Sequence, residues 1–183
     1  MPVPDPYSMY YVAVLCPPAI DDTIQKHKLW MRDHFGCTVA LKSAAHITLV
    51  TPFWLKNESE ELLKDTLQTF QTDKLPVEIE LKDFSHFSDR VIYINVKENH
   101  QLDTLRKEVE DHFIQSFRGI IKPDTRPFNP HITIANRDIK PGDFIKAWEH
   151  FSKEKFEESF RTNSVSLLKL TAEKWAVIAE KQC

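Results

Sequence analysis

The sequence predicts an α+β fold of mixed or antiparallel sheets with helices on the outside. Three observations predict it. Short runs of alternating or continuously apolar residues, the signal of a strand, occur along the whole chain. Between them lie longer stretches whose apolar residues recur at three- and four-residue spacing, the signal of a helix. The two kinds are interleaved without the regular alternation of a doubly wound sheet. Glycine is also scarce, at 3 residues, and no glycine-rich phosphate loop is present.

Each element follows from local pattern. Residues 1–8 carry Pro2, Pro4 and Pro6 and read as a loose, proline-stiffened tail. Residues 10–16 form a buried strand stopped by Pro17 and Pro18. Ile20, Ile24, Met31 and Phe35 place a helix over 19–35, and Gly36 suits its end. A strand over 46–50 follows and Pro52 closes it. Leu62, Leu63, Leu67 and Phe70 mark a second helix, with Asn57 or Ser59 as its cap. Val77, Ile79 and Leu81 alternate with charged residues as a half-exposed strand. It pairs antiparallel with a strand over 91–96 through 86–90. Leu102, Leu105, Val109, Phe113 and Phe117 outline a long helix. A loop over 121–130, rich in Lys, Arg and Pro, leads into a strand over 131–135. A short helix over 143–151 and strands over 165–170 and 175–179 complete the list. Trp30, Trp148 and Trp175 are expected in the core.

Bulk composition narrows the function. With 183 residues, one domain over 1–183 is the expectation, with room for two lobes. A formal charge of −3 argues against broad capture of duplex DNA. The three cysteines Cys16, Cys37 and Cys183 cannot all pair within one chain and lack metal-ligand spacing. Free thiols in a reducing compartment are expected, and cytoplasm is the expected location. No apolar stretch approaches membrane-spanning length, so no membrane partner is expected, and nothing points to an oligomer.

One phrase occurs twice: His46-Ile47-Thr48-Leu49 and His131-Ile132-Thr133-Ile134. In a strand, residues i and i+2 share a face. Each phrase therefore presents an imidazole and a hydroxyl together, with its aliphatic residues opposite. Two such strands brought together offer two imidazoles and two hydroxyls, which suits acid–base chemistry on a phosphoryl group. Histidine serves as acid or base because its reference pKa is about 6.5. The hydroxyls donate to non-bridging oxygens. Two His without convergent Asp, Glu or Cys make a poor metal site, so neither a metal nor another cofactor is expected. Around the motifs, Phe53, Trp54 and Phe128 are candidates to stack on a base. Lys42, Lys122, Arg126 and Arg137 are candidates to neutralise phosphate.

These paired motifs resemble the two-histidine phosphoesterase superfamily, in its RNA 2′,3′-cyclic phosphodiesterase or 2′-5′ RNA ligase-like branch. The stretch His46-Ile47-Thr48-Leu49-Val50-Thr51-Pro52-Phe53 is similar to the first motif of that family. The stretch Phe128-Asn129-Pro130-His131-Ile132-Thr133-Ile134-Ala135 is similar to the second. The resemblance implies a bilobal α+β fold with pseudo-twofold symmetry and both motifs lining a central cleft. It implies metal-independent hydrolysis of a nucleoside or oligoribonucleotide 2′,3′-cyclic phosphate, to a 2′-phosphate. It carries His46, Thr48, His131 and Thr133 across as catalytic residues. Family members often place an Arg just after the second motif, whereas Asn136 here precedes Arg137. The working assignment is His46 as acid and His131 as base, which the sequence itself does not fix. RNA end joining at 2′-hydroxyls and non-catalytic binding of RNA ends are the alternatives.

Overall fold

The computed structural model describes residues 6–183. Strand β1 (Tyr7–Leu15) leads to helix α1 (Pro18–Phe35), strand β2 (His46–Lys56) and helix α2 (Glu60–Thr69). Strand β3 (Val77–Phe87) turns back into β4 (Val91–Val96). Helix α3 (His100–Ser116), strand β5 (His131–Ala135) and helix α4 (Pro141–Phe151) follow, then β6 (Glu157–Thr162), β7 (Ser164–Leu170) and β8 (Trp175–Gln182).

The strands form two four-stranded sheets, ordered β2-β1-β7-β8 and β5-β4-β3-β6, with every neighbouring pair antiparallel. The connectivity β1-α1-β2-α2 repeats as β4-α3-β5-α4. In both copies the first strand lies one place inside its sheet and the histidine strand forms the edge. The two edges, β2 and β5, meet. Helix α1 packs against β5 and α3 against β2, so each half braces the histidine strand of the other.

The core follows from alternation. Ile47, Leu49, Ile132 and Ile134 are buried, as are Ile24 and Met31 of α1 and Leu105, Val109 and Phe113 of α3. Gly36 ends α1 in the left-handed conformation, φ 72°, and donates its N–H to the Arg32 carbonyl. Asn99 caps α3 by accepting the Leu102 N–H at 3.0 Å.

Several sequence expectations need correction. Residues 1–5 of the expected loose tail lie outside the described residues, while Tyr7 and Ser8 already belong to β1. Pro52 does not close the second strand, which continues to Lys56. Phe53 pairs with Tyr10 and Val50 with Val12, leaving Thr51 and Pro52 together opposite Tyr11 in a β-bulge. Proline is tolerated there because β2 is an edge strand and the bulge needs no ladder bond from it. Neither Asn57 nor Ser59 caps α2 through its side chain; the Asn57 carboxamide oxygen accepts from the Ser8 hydroxyl instead. Leu62 faces solvent, 55% exposed. Trp30 and Trp148 pack at the margin of the main core, and Trp175 beside a smaller cluster of Tyr11, Ala13 and Leu168. Strand β6 has no counterpart among the strands the sequence predicts. It is an edge strand whose sequence EESFRT buries only Phe160 and Thr162, so its apolar pattern is too short to read.

Candidate active site

The two motifs fold identically. In both, the His and Thr are half-buried while the intervening and following aliphatics are fully buried. This is the two-residue alternation of a strand with one face against the core. Both rings are also held by the same device. Nδ1 of His46 bonds the Ala44 carbonyl at 2.7 Å, and Nδ1 of His131 bonds the Asn129 carbonyl at 2.7 Å. A carbonyl only accepts, so each Nδ1 carries a proton and each Nε2 remains for chemistry.

The surroundings of the two rings differ. The His46 ring lies 4.9 Å from the Tyr11 ring, whose hydroxyl is 3.3 Å from that of Ser43. Behind it, Lys28 is buried and donates to the Ser43 carbonyl at 2.9 Å. Asp21 accepts the Ala45 N–H at 2.6 Å. Gln25 donates to both Asp21 and the Ser43 carbonyl. Residues 21, 25 and 28 lie on one face of α1 and together grip the turn before His46. Burial lowers the His46 pKa to about 4; the charges of Lys28 and His131 add to this, while the Ala44 carbonyl and Asp21 oppose it. Burial likewise lowers Lys28 to about 8, against the pull of Asp21.

His131 touches two aromatic rings, where His46 touches one. Phe87 and Tyr93, stacked on each other at 4.2 Å, each lie 5.0 Å from it. Burial lowers its pKa below the ordinary histidine value, and the bond to the Asn129 carbonyl partly offsets this. The His46 pKa is also lowered by the charge of His131, and the two strands that carry these rings pack against each other.

A cavity of about 310 Å³ opens at this point. Thr48 and His131 border it; its outer wall is Phe87, Arg106, Arg126 and Phe128. His46 and Thr133, two residues along the same strand faces, do not line the cavity. Arg106 lies over the Phe128 ring at 5.5 Å and bonds Glu110 at 2.8 Å. Glu110 in turn accepts the Asp124 N–H. Arg126 forms a two-pronged pair with Asp124, holding that carboxyl down at about 2.

Of the predicted substrate contacts, Phe128 and Arg126 line the cavity. Phe53 does not: it points into the core against Tyr10, ring centroids 6.2 Å apart. The bulge at Thr51 and Pro52 sets that orientation. Lys42 is exposed on the turn over 39–42, outside the cavity lining. Arg137 is also outside it, exposed in a left-handed turn (φ 50°) that leaves the face of β5. Phe87, Arg106 and Asp124 were missed, since they come from three separate elements. The pair Arg106 and Glu110, charged residues four apart among the core positions of α3, was the available signal. Among the described residues no group of three or more His, Cys, Asp or Glu gathers as a metal site, and no helix is long and apolar enough to cross a membrane. All three thiols are free.

Two lobes that set matching His-x-Thr edge strands over one cleft define the class of two-histidine phosphoesterases. A family model of the 2′-5′ RNA ligase superfamily matches residues 16–174. The chain belongs to that superfamily, whose members are phosphoesterase- and ligase-type enzymes. Solved structures share the fold. E. coli LigT complexed with 3′-AMP superposes with a TM-score of 0.66 at 20% identity, over 95% of this chain and 97% of that one. TT0787 of Thermus thermophilus gives 0.64 at 16% identity, over 94% and 96%. The PDE domain of MHV ns2 gives 0.52 at 13% identity, over 90% and 100%. No curated protein sequence matches.

Proposed function

We propose that this protein hydrolyses 2′,3′-cyclic phosphates of nucleotides or RNA ends to 2′-phosphates, using His46, Thr48, His131 and Thr133 and no metal. The observation that carries the reading is the pair of identically held imidazoles, each bonded through Nδ1 and each followed on the same strand face by a threonine. The LigT crystal complexes with 3′-AMP and with phosphate support a nucleotide phosphate as the substrate class.

In the proposed reaction the phosphodiester lies across the cleft, with its non-bridging oxygens accepting from the Thr48 and Thr133 hydroxyls. Water attacks phosphorus opposite O3′. The new P–O bond forms as the P–O3′ bond breaks; one imidazole takes the water proton and the other protonates O3′. The environments favour His46 as base and His131 as acid, the reverse of the working assignment. His46 is the more strongly held neutral, by burial first and by the Lys28 charge second. His131 lines the cavity, where a bound anion stabilises its charged form. Arg126 and Phe128 contact the nucleoside part.

The test is turnover of the four 2′,3′-cyclic nucleotides in EDTA, with chromatographic identification of the product. The expected product is the 2′-phosphate. No turnover across the panel, or full activity in both His46→Ala and His131→Ala, overturns the reading. The family also contains ligases. RNA fragments with 5′-hydroxyl and cyclic-phosphate ends test joining, the reverse direction at the same site.

A further inference from the structure

The continuation of β2 beyond the bulge has no part in the chemistry above. It carries Trp54 to the surface, 54% exposed, between the buried Phe53 and Leu55. The segment after α3 brings Ile120, 49% exposed, and Lys122 beside it. A groove of about 450 Å³ runs between them, lined by Thr51, Pro52, Trp54, Ile120 and Lys122 with Phe53 and Ile121 at its base. Thr51 also lines the cavity next to His131, so the two depressions are neighbours that share a wall on β2. No carboxylate lines the groove, and Lys122 forms no ion pair among the described residues.

An exposed indole, a neighbouring aliphatic and an unpaired ammonium suit one kind of occupant. A nucleobase stacks on the indole and the phosphate attached to it meets the lysine. Solitary surface hydrophobics need no explanation, but here two of them line one trough that shares Thr51 with the proposed reaction cleft. We infer that this groove is a second nucleotide subsite, which holds the residue 5′ to the reacting end. The substrate is then an oligoribonucleotide end rather than a free cyclic mononucleotide. The inference rests on the cyclic phosphodiesterase reading for its orientation, but its test does not depend on turnover.

The test measures binding of mono-, di- and triribonucleotides carrying a 3′-terminal phosphate by calorimetry. The dinucleotide is expected to bind about tenfold tighter than the mononucleotide, the range of one added base stack. Trp54→Ala removes that gain and Trp54→Phe retains part of it. Lys122→Ala flattens the salt dependence of dinucleotide binding by about 0.7 in log–log slope, the amount for one single-strand phosphate contact. Equal affinity for mono- and dinucleotide in the native protein, or a length gain that survives Trp54→Ala, overturns the inference. Failure of the phosphodiesterase reading would look different: cyclic phosphates would go unhydrolysed while the length gain persisted.

Discussion

Before His46, Asp21, Gln25 and Lys28 of α1 bond the turn over 43–45. Before His131, Arg106 and Glu110 of α3 steady the loop over 124–128, through the Asp124 N–H and the Phe128 ring. The architecture is the same in both halves: strand, helix, histidine edge strand, and a charged helix face that fixes the approach to the imidazole. The chemistry is not. Both imidazoles lie against aromatic rings, but the charge of buried Lys28 acts on His46 and has no counterpart at His131 among the described residues. The repeated fold supplies geometry, namely two histidine edge strands set against each other. In the proposed reaction the divergence between the halves supplies the roles, because acid and base must start in different protonation states.

The largest effect breaks both halves alike. His46→Ala and His131→Ala should each lower kcat by about 10²–10⁴-fold on a cyclic nucleotide in steady-state kinetics. Thr48→Val and Thr133→Val should each cost about 10–10³-fold, mostly in kcat, since a donor to developing charge acts in the transition state.

The asymmetry is sharpened by pH. Both histidines titrate below the ordinary value, His46 near 4. The profile of kcat/KM should be bell-shaped, with both limbs below about pH 6.5 and the acidic one near His46's value. Lys28→Met removes a charge that disfavours His46 protonation, so the acidic limb should move to higher pH; Asp21→Asn should move it lower. Stability has the same sign. The unfolded chain takes up the His46 proton near pH 6.5 and the folded protein only near 4, so unfolding is favoured as pH falls through that window. Denaturant midpoints should fall there in the wild type and less steeply in His46→Gln. The smallest effect is expected at Arg126. Its charge is already shared with Asp124 at an exposed position, so Arg126→Ala should raise KM a few-fold with kcat little changed.

The motifs were legible because three residues of strand alternation suffice to place an imidazole and a hydroxyl on one face. The helices were legible from core spacing, as in Leu102, Leu105, Val109 and Phe113. What sequence could not give is the convergence of separated elements. Phe87 at a strand end, Arg106 on a helix and Asp124 in a loop become neighbours only through tertiary packing. Pro52 misled because proline reads as a strand breaker unless the strand is known to lie at an edge with a bulge. Beyond the same bulge Phe53 is buried and Trp54 is exposed, so of these two stacking candidates only Trp54 reaches the surface.

The division of labour between the halves is tested most directly by a 2′,3′-cyclic substrate with sulfur in place of O3′. A thiolate leaves without protonation, because a thiol pKa is near 8.5. The account predicts that this substrate restores His131→Ala by about 10²-fold or more and leaves the His46→Ala defect in place. Rescue of His46→Ala, or of neither variant, would contradict it.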